Sequence, residues 1–202
     1  MKLTLSTVGA AGAIALVAVT GVACSSGSTT ATSSSSSSSV SSSASATSKD
    51  AAPVDYTTLL IKPEDIVIPG DTFTASEPQL NPSGAQGVAV GFNNADQTRS
   101  IGDSIVVLPD AAAAKTAMDG AVAALDQSIA DPAPQPAEVG TNGVVATGTA
   151  PDGSKAVTVV VFTQGTAFVV MEFDSAAGDP VPVDFATSLA QKQADAIKSG
   201  LG

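Results

Sequence analysis

Apolar and polar positions recur along the second half of this chain in two different periods. Over residues 87–92 and 99–108 they alternate, the second run closing on Ile105, Val106, Val107 and Leu108. Alternation sends successive side chains to opposite faces of a strand, and the polar stretch Asn93-Asn94-Ala95-Asp96-Gln97 between the runs reads as a turn, which predicts a hairpin. Asp110 then stands as an N-cap before residues 111–130, where abundant alanine predicts helix. Met118, Val122, Leu125 and Ile129 share one stripe of that helix, Lys115, Asp119 and Asp126 face water, and Gly120 suggests a close approach to a sheet. Asp131-Pro132 ends it.

Three further strands are predicted at residues 143–149, 155–163 and 166–174. The turns Pro151-Asp152-Gly153-Ser154 and Gln164-Gly165 join them into an antiparallel meander. Here both parities are apolar: Val157, Val159 and Val161 on one side, Val160 and Phe162 on the other, and likewise Phe168 and Val170 against Val169, Met171 and Phe173. A sheet apolar on both faces needs cover on both. A last helix over residues 184–199 buries Phe185, Leu189 and Ile197, with Gly200 at a left-handed cap position. Ahead of the first strand lie a short apolar segment at 55–61, a helical turn at Pro63-Glu64-Asp65, and a Pro- and Gly-rich loop at 69–86. The order β-β-α-β-β-β-α predicts a single α+β domain, an antiparallel sheet of about five strands packed with helices.

The front of the chain has a different character. Lys2 and an apolar run over residues 8–19 have the form of a signal peptide, since about twelve residues are too few to span a ~30 Å hydrocarbon core. Gly21-Val22-Ala23-Cys24-Ser25-Ser26 resembles a bacterial lipobox, with Gly21 where such motifs usually carry Leu or Val. The resemblance implies that Cys24 receives acyl chains such as palmitate and becomes the N-terminus after cleavage. The alternative is a secreted protein with Cys24 unmodified. The Ser-, Thr- and Ala-rich stretch that follows cannot offset the entropy of ordering it and reads as a disordered tether, bare or O-glycosylated, with a span of roughly 25 to 30 Å. The expected organisation is a signal peptide at 1–23, the lipidated cysteine and tether at 24–54, and the globular domain at 55–202.

Composition narrows the chemistry. Eight basic and 19 acidic residues give a net charge of −11, and Arg99 is the lone arginine, which excludes the basic stripe that nucleic acid demands. Membrane attachment must then come from the anchor rather than from a charged face. There is no histidine, so His-based triads, imidazole bases and His-ligated zinc are excluded, and a lone cysteine leaves no internal disulfide. No cofactor is expected.

Three candidate contact residues remain. The loop at 69–86 is long for a compact domain and carries Asp71 and Phe73, with Glu77 and Leu80, as a lid or contact surface, or as a plain excursion over the sheet. Arg99 lies near Asp96 and Asp103 in sequence and suits a structural ion pair, or anion recognition. Asn93, Asn94 and Asp96 lack the ligand alternation of a calcium loop and read as a solvated turn.

The segment Leu59-Leu60-Ile61-Lys62-Pro63-Glu64-Asp65-Ile66, the run from Arg99 to Asp110 into the helix, and Gln191-Lys192-Gln193 give the chain a further resemblance. It resembles mycobacterial and actinobacterial cell-surface lipoproteins with a PsbP-like or kinase-sensor-like extracytoplasmic domain. That implies a non-enzymatic domain binding a partner or ligand outside the cell. Kinase sensors of this kind use paired disulfides, which are missing here, so a sensing role does not carry over and no functional residue is transferred.

These readings converge on a lipid-anchored lipoprotein of the cell membrane's outer face, a binding module of the cell envelope engaging a protein or a small apolar ligand. Two alternatives stand beside it. One is a carboxylate-dependent envelope hydrolase or esterase; the other is a carrier of apolar lipid, which needs a cavity above about 300 Å³.

Overall fold

A computed structural model describes residues 54–201. Cys24, the signal peptide and the serine-rich tether lie outside them. The described part is an α+β fold on one antiparallel sheet.

Its strands are β1 (Phe73–Ala75), β2 (Gln79–Leu80), β3 (Gly87–Asn94), β4 (Ser100–Val107), β5 (Gln135–Pro136), β6 (Thr141–Thr149), β7 (Lys155–Gln164) and β8 (Ala167–Ala176). Helix α1 (Ala111–Ala123) follows β4, and α2 (Val183–Leu201) closes the domain. Across the sheet the order is β1-β3-β4-β8-β7-β6-β5, with β2 also paired to β3. The β3–β4 hairpin and the β6–β7–β8 meander follow the predicted pairing, and β4 joins the two by lying against β8.

The sheet has eight strands rather than about five. Two of the additions, β1 and β2, lie in the stretch read as loop, each pairing with one half of β3, and β5 pairs with Val144 and Val145. Strands of two or three residues are too short to show an alternation.

Both faces are covered, as doubly apolar strands require. On one face α2 and residues 56–68 bury Val88, Val90 and Phe92 of β3, Ile101 and Ile105 of β4, and Val169, Met171 and Phe173 of β8. Phe173 and Phe185 meet edge to face at 6.3 Å. Gln193 ties the layer to the chain's entry: its Nε2 donates to Leu59 O at 2.6 Å and its Oε1 accepts from Ile61 N at 3.0 Å. On the opposite face α1 covers Val106, Val157, Val159, Val161 and Phe168 with Ala114 and Met118.

Helix α1 begins as predicted, the Asp110 carboxylate accepting from Ala113 N at 2.8 Å. It ends seven residues earlier than residue 130, at Ala123, and tightens into a 3-10 turn at Leu125–Gln127. The tightening brings Ile129 down onto β6, where Gly148 makes room: a Cβ there would lie 2.5 Å from Ile129 Cγ2. Val122 is only half-buried as a result, while Leu125 and Ile129 are buried. Gly120 marks no approach to the sheet, since it is exposed with nothing within 4 Å of a Cβ built there. Gly200 is not a cap either; it lies inside α2, where the absent side chain admits Leu59.

Candidate functional site

Helix α1 does not cover its whole face. Its start lies over the Val106 and Phe168 end of the sheet, and the chain after it reaches β6 at Ile129 and Thr149. A corner formed by the far ends of β3, β4 and β8 is left open. There every residue directed to the α1 side is half-buried: Ala89, Gly91 and Asn93, Ser100, Gly102 and Ser104, and Glu172 and Asp174. Gly91 and Gly102 are register partners; Ser76 lies against Gly91, its Oγ accepting from Gly91 N at 3.0 Å, while a Cβ at Gly102 would meet nothing within 4 Å.

Charges of both signs edge this corner. Glu172 is the β8 partner of Gly102, and Asp174 the partner of Ser100. From β7, Lys155 Nζ reaches Asp174 Oδ2 at 2.5 Å and Glu172 Oε1 at 3.6 Å. Ser128 Oγ donates to Glu172 Oε2 at 3.3 Å, while Asp174 Oδ1 is buried without a partner. Burial raises the Glu172 carboxyl above its ordinary value, and the Asp174 charge adds to that; Lys155 and Ser128 oppose it. Burial would lower the Lys155 ammonium, but its bond to Asp174 and the two nearby charges outweigh this and hold it above its usual range. Lys155 is therefore a fixed cation rather than a base. The surface offers hydrogen-bond acceptors and net negative charge beside the open space at Gly102.

The residues singled out from sequence lie elsewhere. Asp71 and Arg99 meet, but in a pair that ties loops together: Arg99 donates to Asp71 Oδ2 at 2.8 Å and to Asp179 Oδ2 at 2.7 Å. Its partners are thus Asp71 and Asp179, not Asp96 and Asp103. The Asp71 carboxyl is held below its ordinary value by the Asn94 amide first and by Arg99 second, and the guanidinium is raised chiefly by its bond to Asp71. Phe73 is buried in the α2-side core and offers no surface for contact. Asn94 spends its amide on the hairpin turn and on Asp71, Oδ1 accepting from Thr98 N and Arg99 N and Nδ2 donating to Asp71 and Thr98. Among the described residues no three potential ligands cluster around a metal position.

What sequence reasoning missed is the chemistry of β8. Glu172 and Asp174 share one parity of a strand that is otherwise apolar from Ala167 to Phe173, and two same-side acids there were the available signal. A carboxylate-dependent hydrolase needs acids that converge, and Asp71, Asp96 and Asp103 do not: the first is ion-paired, the second exposed, the third buried. A recess of about 360 Å³ beside the end of α2 is edged by Gly140, Gln164, Gln191, Ala194, Asp195 and Lys198. Its polar rim does not suit an apolar lipid.

No family model and no curated protein matches the chain. A solved structure, the extracellular domain of PknH from Mycobacterium tuberculosis, is similar with a TM-score of 0.52 and 12% identity, covering 73% of this chain and 98% of that one. At that identity the likeness is one of fold alone.

Proposed function

We propose that the chain is a non-enzymatic interaction module of the cell envelope, held to the outer face of the cytoplasmic membrane by acyl chains on Cys24, and that the open corner of its sheet is the contact surface. The carrying observation is that corner: the backbone at Gly102 lies uncovered beside a Lys155–Glu172–Asp174 cluster on an otherwise well-packed sheet. Open space with acceptors along one rim suits a partner presenting hydrogen-bond donors or positive charge. The likeness to an extracellular domain supports the address.

A non-enzymatic reading agrees with the chemistry of the corner. Ser128 donates to Glu172 Oε2, but with no histidine in the chain there is no imidazole to complete a serine-based relay.

Capture from envelope extracts on the immobilised chain tests the surface. The native chain should retain a saturable partner, and Gly102→Phe, which fills the corner, should weaken retention about tenfold or more. Equal retention by both would remove the corner from the account. The anchor is tested separately: Cys24→Ala should move the protein from the detergent phase to the aqueous phase, and unchanged partitioning would contradict lipidation.

A further inference from the structure

Asp103 is an acid in a place built for aliphatic side chains. It lies in the middle of β4 on the α2 side, with Val90 and Met171 as its cross-strand neighbours and Ile101 and Ile105 two residues away on its own strand. The residue is 1% exposed, and neither carboxyl oxygen has a hydrogen-bond partner.

Among the described residues no compensating charge faces it. Arg99, just ahead of β4, is already held by Asp71 and Asp179. Val90 of β3 and Met171 of β8 flank it without a charge, and β1 contributes Phe73 to the same core. Helix α2 packs along β7, with β6 and β8 beside it, and residues 56–68 share one core with the β3 and β4 side chains, their first 3-10 turn against α2 and their second against β1. That strap brings one titratable group into the core, Tyr56, whose hydroxyl donates to Gln86; its Lys62, Glu64 and Asp65 lie at the surface. On α2, Gln193 has both amide atoms engaged by the strap, and Asp184, Lys192, Asp195 and Lys198 are exposed.

An ionised carboxylate without donor or counter-ion is not kept in apolar surroundings; it stays protonated or draws water in. Of the elements around Asp103, the strands are held by continuous ladders. The strap consists of short 3-10 turns at Thr57–Leu59 and Pro63–Asp65, fixed by the Gln193 bonds and by Lys192 donating to Asp65 O. It is the element that opens at least cost.

We propose that Asp103 is a pH-sensitive latch: as a neutral acid it leaves residues 56–68 seated on the sheet, and on losing its proton it releases them and uncovers the apolar face around Val90, Ile105 and Met171. Burial pushes this carboxyl up to about 8, which places the release on the mildly alkaline side.

Hydrogen exchange of the full chain, read by mass spectrometry and corrected for the intrinsic effect of pH, tests the latch. From about pH 6 to about pH 9.5, protection over residues 56–68 should fall about tenfold or more while β7 keeps its own, and Asp103→Asn should abolish the fall. Constant strap protection, an equal loss in β7, or the same loss in Asp103→Asn would each overturn the proposal. Should Asp103→Asn fail to fold, carbon-13 NMR of the native carboxyls decides. A carboxyl titrating near pH 8 in step with strap opening supports the latch, and titration of every carboxyl below about pH 5 overturns it.

Discussion

The two faces of the sheet treat carboxylates in opposite ways. On the α1 side Glu172 and Asp174 keep a lysine, a serine and access to water; on the α2 side Asp103 has none of these. One face is a surface on which charge is available for contact, the other a sealed core in which charge is suppressed. Burial by itself does not determine what an acid does. What decides is whether a counter-charge and a route to solvent are buried with it.

Truncation of the sealed face should give the largest effect. Phe173→Ala removes a fully buried ring that also meets Phe185, and chemical denaturation should show a loss of about 3 to 5 kcal/mol. A loss below about 1 kcal/mol would mean that this face is not packed as described.

The second effect depends on pH. With the carboxyl of Asp103 raised to about 8 in the fold and ionising near its ordinary value when unfolded, the folded chain binds the extra proton between those limits. The stability associated with this group is therefore complete at acid pH and declines as pH rises through that window, by up to about 1.4 kcal/mol per pH unit. Denaturation of Asp103→Asn should lack this slope; an equal slope in both proteins would assign it to other groups.

On the open side the effects should be smaller. Lys155→Met leaves two carboxylates facing each other, but the cluster is solvated and screened, so the cost should be about 1 kcal/mol and should shrink with added salt. Gly102→Ser places a small side chain in free space and should change stability by no more than about 0.5 kcal/mol. A larger loss there would show that the corner is covered.

Much of the architecture was legible in the sequence because it is carried by long periodic elements. The meander, the hairpin, both helices and the need to cover both sheet faces follow from alternation and from doubly apolar strands such as β7. Short edge strands were hidden because two or three residues have no period. The early end of α1 was hidden because it depends on Ile129 finding room at Gly148, a contact between distant parts of the chain. The candidate site was harder still. Asp71 and Arg99 attracted notice as unusual residues and proved to be each other's partners, whereas Glu172, Asp174 and Lys155 become a group only through the β7–β8 register. Gly91 and Gly102 gain meaning only as neighbours across β3 and β4.

The claim on which the account turns is that the corner around Gly102 is where the domain meets its partner. A photo-crosslinking amino acid placed at position 102 in the native host, with a matching one at Ser199 on the exposed end of α2, addresses it directly. The account predicts a discrete adduct from position 102 and none from 199; adducts from 199 with none from 102 would contradict it.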